Sequence, residues 1–106
     1  MNKACDVKIT VLRRATTDDI MKEYGRNMES QCPLFRVGDE FISEDTNQPE
    51  GFCSWAWADI QRDVAVLGLG GDFFWIKKKG TMISSCSDGL RPVIFKLERV
   101  GTYSWE

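Results

Sequence analysis

Cys32, Cys53 and Cys86 carry the widest chemistry this chain has to offer. A thiolate is a nucleophile, a redox centre and a ligand for soft metals. Each of the three stands where an element is expected to begin or end, so that side chains from separate segments could converge. Cys32 precedes Pro33 in a connection, Cys53 opens a helix, and Cys86 closes a strand just before a turn. Their spacing contains no Cys-x-x-Cys pair, whereas structural zinc sites usually take two ligands from one tight turn. A metal centre here would have to be assembled from three segments, with Cys32, Cys53 and Cys86 as its ligands. Cys5, near the N-terminus, is the weakest candidate for membership. The sequence has no histidine. That removes the Ser-His-Asp and Cys-His mechanisms, the commonest general base and every His-containing zinc site.

The stretch EGFCSWAWADIQRDVAVLG, residues 50–68, frames the reading of Cys53. On a helix turning about 100° per residue, Cys53, Ala56, Trp57, Ile60, Val64 and Leu67 share one apolar arc. Trp55 falls on the opposite side, near Asp59 and Arg62. Trp57 therefore reads as core, and Trp55 as a surface side chain or a contact with a loop, ligand or subunit. Cys53, in the first turn, admits two readings. One is a small buried hydrophobe, the usual role of a free cysteine. The other is a functional thiol, because unpaired N–H groups at a helix N-terminus favour the thiolate.

A second set of residues suits ligand binding: Trp55, Phe74 and Trp75 as aromatic walls, Arg91 as an anchor and Asp88 beside it. Turn chemistry accounts for Asp88 and Gly89. Arg91 either pairs with Asp88 or Asp59, or offers its guanidinium fork to an anion. Asp59 and Arg62, three apart on one helix, read as a surface ion pair.

The elements that must position these groups follow from pattern and punctuation. Residues 7–14 read as a strand, with Val7, Ile9 and Val11 alternating against Lys8, Thr10 and Leu12. ATTDDIMKEYG reads as a short helix capped by Thr16 or Thr17, stopped by Gly25, with Ile20, Met21 and Tyr24 on its apolar face. LFRVGDEFIS reads as a strand bent at Gly38-Asp39, burying Phe35, Val37 and Phe41. The second helix covers residues 53–67, ended by Gly68, Gly70 and Gly71. MISSC and RPVIFKLERV read as a hairpin around Asp88-Gly89, with Pro92 at an edge or at a position not required to donate. Tyr103 and Trp105 in the tail are candidates to pack. The order strand, helix, strand, helix, hairpin predicts an α+β fold: a small, mostly antiparallel sheet packed against two helices, as a single domain over residues 1–106. The expected core includes Trp57, Ile60, Val64, Ile9, Val11, Phe41, Val93 and Phe95.

Three motifs, CPLFRVGDEF, PEGFCSWAWADI and CSDGLRPVIFKLERV, resemble those of a small family of uncharacterised Cys-motif proteins from anaerobic bacteria and archaea. The family's Cys-Pro-x-Phe falls on Cys32, Pro33 and Phe35, and its Phe-Cys-x-Trp-Ala on Phe52, Cys53, Trp55 and Ala56. Its third pattern falls on Cys86, Asp88, Gly89, Arg91, Pro92, Val93 and Phe95. The resemblance runs from VKITVLRR to FKLERV and leaves Cys5 without a counterpart. It implies that Cys32, Cys53 and Cys86 belong to shared motifs, and brings no mechanism with it.

Bulk composition narrows the classes. The 106 residues are 42% hydrophobic and 28% charged, which suits one folded domain and excludes disorder. Net charge is −2, so no global positive field attracts a phosphate backbone. Phe73-Phe74-Trp75 followed by Lys77-Lys78-Lys79 has the look of a single-stranded nucleic acid groove. A solvated turn looks the same, and the overall charge favours it, so no nucleic acid partner is expected. No apolar run reaches membrane-spanning length and MNKACDVKITVLRR has no signal-peptide pattern, so the expectations are a cytoplasmic setting, reduced thiols and no membrane. The leading reading is a thiol- or metal-binding accessory protein, holding a soft metal, an iron–sulfur species or a redox partner. The alternative is a module binding a small ligand, a protein partner or a second copy through an aromatic surface. An enzyme, with Cys53 as nucleophile and Asp59 or Asp88 as base, is the weaker third reading.

Overall fold

The computed structural model describes residues 3–101. Tyr103 and Trp105 lie outside them. The element order is β1 (Asp6–Arg14), α1 (Asp18–Tyr24), β2 (Glu40–Ser43), α2 (Ser54–Gly68), β3 (Thr81–Ser85) and β4 (Val93–Val100). The strands form one four-stranded sheet, ordered β2-β1-β4-β3, with every neighbouring pair antiparallel. With two helices beside it in one domain, this is the expected α+β architecture.

Alternation along β1 does what its sequence requires. Val7, Ile9 and Val11 are buried, while Lys8 and Thr10 face the other side. Leu12 keeps the alternation by facing outward, and it breaks at Arg13, which is exposed too, because the β1–β4 register shifts between Val11 and Arg13. This is a β-bulge, an extra residue in one strand of the pair. Val93, Phe95 and Leu97 of β4 supply the facing buried row. β4 is an interior strand, so Pro92 is tolerated not at an edge but because it precedes the first ladder residue. Its carbonyl accepts the Ala15 N–H at 2.8 Å.

α2 covers the buried face of the sheet. Ala56, Trp57, Ile60, Val64 and Leu67 point inwards, as the helical period predicts, and Trp55 points away at 87% exposed. Burying Ile60, Val64 and Leu67 is worth roughly 1.5–3 kcal/mol each. Phe35, Phe41, Phe52, Phe95 and Trp57 form a continuous aromatic cluster with centroids 5.0–6.2 Å apart, mostly edge to face. Gly68 ends α2 against β1, where the Cys5 N–H donates to its carbonyl at 2.8 Å. A Cβ there would meet the Cys5 carbonyl oxygen at 3.2 Å. Cys5 itself is buried.

Four expectations need correction. Val37 is exposed, because Leu34 to Asp39 is not strand: Asp39 Oδ2 accepts the Arg36 N–H at 2.9 Å and turns the chain at Gly38 (φ 93°). Phe41 is only partly buried, packed against the edge of the core. α1 has no buried residue, so its Ile20 and Tyr24 do not face the sheet. Thr17 does not cap it through its side chain; the hydroxyl instead donates to the Leu90 carbonyl at 2.8 Å. α1 is thus tied to the loop before β4 and adds nothing to the core.

Candidate functional site

Cys32, Cys53 and Cys86 line one cleft of about 290 Å³ between the N-terminal end of α2, the Cys32 segment and the loop from β3 to β4. All three are partly exposed free thiols, whereas Cys5 is sealed in the core. Leu34, Phe35, Ala56 and Val93 supply apolar wall, and Trp55, Asp59, Asp88 and Arg91 complete the lining.

Each cysteine is placed by hydrogen bonds to its own segment. Cys32 is held from β1, where Arg14 Nη1 donates to its carbonyl at 3.3 Å and the Gln31 side chain donates to the Arg14 carbonyl at 3.1 Å. Cys53 is the N-cap residue of α2, one position before the helix proper, and its carbonyl accepts the Trp57 N–H at 2.9 Å. Its thiol makes no cap hydrogen bond to the helix. Gln48 steadies this entry, donating to the Phe52 carbonyl at 3.0 Å and to Ser54 Oγ at 3.2 Å. Cys86 follows β3 directly. Its N–H donates to the Val93 carbonyl at 3.1 Å, and its sulfur accepts the Val93 N–H at 3.2 Å.

The loop carrying Cys86 and Arg91 is built on Asp88. Its Oδ1 accepts the Leu90 N–H at 3.0 Å, and its Oδ2 accepts Arg91 Nε at 3.2 Å. Burial pushes the Asp88 carboxyl up, but the Leu90 N–H and the Arg91 guanidinium outweigh it and hold the group below its ordinary value. Asp88 is therefore an anion at neutral pH, and Arg91 is fixed by its Nε with no hydrogen bond from its Nη atoms among the described residues. Asp59 does not pair with Arg62. Its Oδ2 accepts the Ser87 N–H at 2.7 Å and the Ser87 hydroxyl at 2.9 Å, clamping the loop onto α2. Arg62 turns instead to Asp63, with Nε 3.6 Å from Oδ1.

The remaining site expectations divide. Trp55, Asp88 and Arg91 line the cleft with the cysteines, and Trp75 does not. Trp75 packs at a tilt against Phe73 and edge to face with Phe74 in the connection between α2 and β3. A metal centre is not preassembled: among the described residues no group of three or more His, Cys, Asp or Glu side chains could hold a metal ion. Two contributors escaped the sequence reading. Ser87 sits beside Cys86 and looks like ordinary turn composition. Leu34, 67% exposed at the rim, reads as strand in an alternation the chain does not adopt. The 55/59 helical spacing did carry a signal, since it sets Trp55 and Asp59 on one face towards the loop.

The chain matches no protein-family profile, no curated protein and no solved structure.

Proposed function

We propose that this protein binds a small ligand through thiol contacts in the cleft, as an accessory protein rather than an enzyme. One observation carries the reading: three cysteines from three separate segments line the same cleft, while the fourth is buried in the core. Packing alone does not ask for several partly exposed thiols around one apolar space, since buried cysteine is the ordinary packing case. The ligand that suits the lining has a soft, thiol-seeking centre and an apolar body against Leu34, Phe35 and Trp55. A resident metal held by Cys32, Cys53 and Cys86 has less support, because these groups are not gathered as ligands in the resting fold.

A second reading keeps the cleft and makes the thiols structural, with Trp55 and Arg91 taking a small ligand or partner. It is favoured by the packing of Cys32, Cys53 and Cys86, each partly buried, against the hydrophobic core.

Phenylarsine oxide separates the two. It couples to two neighbouring thiols, forming two As–S bonds and releasing water, and its phenyl ring suits an apolar wall. Under the thiol reading, native mass spectrometry shows one adduct per chain. Cys5→Ser leaves that adduct intact, and serine at Cys32, Cys53 or Cys86 weakens it at two or more of the positions. Absence of any adduct on the folded, reduced chain would leave the cysteines structural.

A further inference from the structure

The connection between α2 and β3 takes no part in the cleft, yet it is built with care. Asp72 Oδ1 accepts the Gly80 N–H at 2.6 Å and Arg99 Nη2 at 3.1 Å. Arg99 Nη1 donates to the Leu67 and Gly71 carbonyls at 3.1 and 2.7 Å, and its own N–H donates to the Gly80 carbonyl at 2.7 Å. Both ends of the loop are thereby clamped to β4, so its tip is presented already ordered. At that tip Phe74 is 95% exposed and Trp75 58% exposed, and the exposed Lys77, Lys78 and Lys79 follow directly. Large rings left in water beside a cluster of cations mark an interaction surface.

We propose that this loop docks the protein on an anionic lipid bilayer, with Phe74 and Trp75 in the interfacial layer and the three lysines among the headgroups. Shape favours this occupant: Phe74 stands almost wholly clear of its own chain, a convex tip that a bilayer can accommodate and that offers a peptide no groove. Ring geometry disfavours a nucleic acid. Phe74 and Trp75 meet edge to face at 89°, with centroids 5.1 Å apart, and do not form the flat platform on which bases stack. Charge orients the contact. The chain carries −2 even with these lysines counted, so the rest of it is repelled by an anionic surface and the loop leads. No helix among the described residues is long and apolar enough to cross a membrane. Lying in the interface needs none, because binding there draws on buried apolar area and on attraction of basic side chains to anionic lipids.

Each lysine near an anionic surface is worth about fivefold in binding, so the three together are worth about a hundredfold at low salt. The test is co-sedimentation of the full chain with vesicles of phosphatidylcholine alone, or mixed with an equal part of phosphatidylglycerol, at low and at high salt. The mixed vesicles should retain the protein at low salt and release it at high salt. Tryptophan emission should shift to the blue on binding, and Trp75→Phe should remove that shift. K77Q/K78Q/K79Q should weaken binding about a hundredfold, and Phe74→Ala with Trp75→Ala should abolish it, with unchanged circular dichroism in each variant. Equal retention on neutral vesicles, no retention on either, or a lysine variant that binds like the native chain would overturn the proposal. So would tighter binding to a single-stranded oligonucleotide than to the mixed vesicles.

Discussion

Replacing Trp57 with alanine is the sharpest test of how α2 is seated. The indole is 9% exposed and meets Phe52 edge to face, at 82° and 6.2 Å between centroids, on the side of α2 that carries Ile60 and Val64. Removing it leaves a cavity under the helix and cuts one arm from the aromatic cluster. The expected loss is about 3–5 kcal/mol, the range for a large core aromatic, of which the edge-to-face pair accounts for roughly 0.5–1.5. Trp55, two residues away, is 87% exposed, and Trp55→Ala should stay within about 0.5 kcal/mol. Urea unfolding followed by circular dichroism measures both. With a slope of about 1–3 kcal/mol per molar, the Trp57 variant should lose at least about 1 M in midpoint, and the Trp55 variant should overlay the native curve. Equal losses for the two, or a Trp57→Ala cost below about 1 kcal/mol, would show that α2 is not seated as described.

Three further outcomes follow from the hydrogen bonds. Asp59→Asn weakens the acceptor for the Ser87 N–H and hydroxyl, costing about 0.5–1.5 kcal/mol, and amide exchange at Ser87 and Asp88 should speed up while the β1–β4 ladder keeps its protection. Ser84→Ala removes the hydroxyl that donates to Asp63 Oδ2 at 3.0 Å; because Asp63 is buried, thermal unfolding should report a loss of about 1–3 kcal/mol. Asp72 and Asp88 both titrate below their ordinary value of 3.8, Asp72 chiefly through the Gly80 N–H, and Asp88 because its hydrogen bonds outweigh burial. A carboxyl whose folded value is depressed contributes stability that is complete above the unfolded value and is lost as pH falls through the folded one. The melting temperature should therefore be insensitive to these groups near neutrality and fall as the pH drops below 3.8, and the combined Asp72→Asn and Asp88→Asn variant should flatten that fall.

The parts of this protein legible from sequence are those set by a local period. A 3.6-residue repeat separates Trp57 from Trp55 on α2, and a two-residue repeat sends Val7, Ile9 and Val11 to the core side of β1; both are found in the structure. Where a local pattern competes with side-chain hydrogen bonds, it loses. Phe35 and Val37 alternate like a strand, but the Asp39 carboxylate accepts the Arg36 N–H and turns the chain at Val37-Gly38, so Val37 ends in solvent. Asp59 and Arg62 have the spacing of an ion pair, yet Ser87, 28 residues away, offers two donors to one carboxylate oxygen and takes Asp59. α1 has an amphipathic pattern but no sheet surface to cover, since the sheet's buried face belongs to α2. The gathering of Cys32, Cys53 and Cys86 depends on the hydrogen bond from Arg14 to the Cys32 carbonyl, on the entry to α2 and on β3–β4 pairing together, and no single stretch encodes it. Element boundaries identify the three as candidates, and only the tertiary fold sets them around one cleft.

Cys32, Cys53 and Cys86 share an accessible cleft from which Cys5 is excluded. Timed alkylation of the reduced, folded chain, read residue by residue by mass spectrometry against the urea-unfolded chain, tests it most directly. All three cleft cysteines should label well ahead of Cys5, and prior treatment with phenylarsine oxide should slow at least two of them together while leaving Cys5 unchanged. Labelling of Cys5 as fast as the other three, or protection of Cys32, Cys53 and Cys86 to the same degree as Cys5, would contradict it.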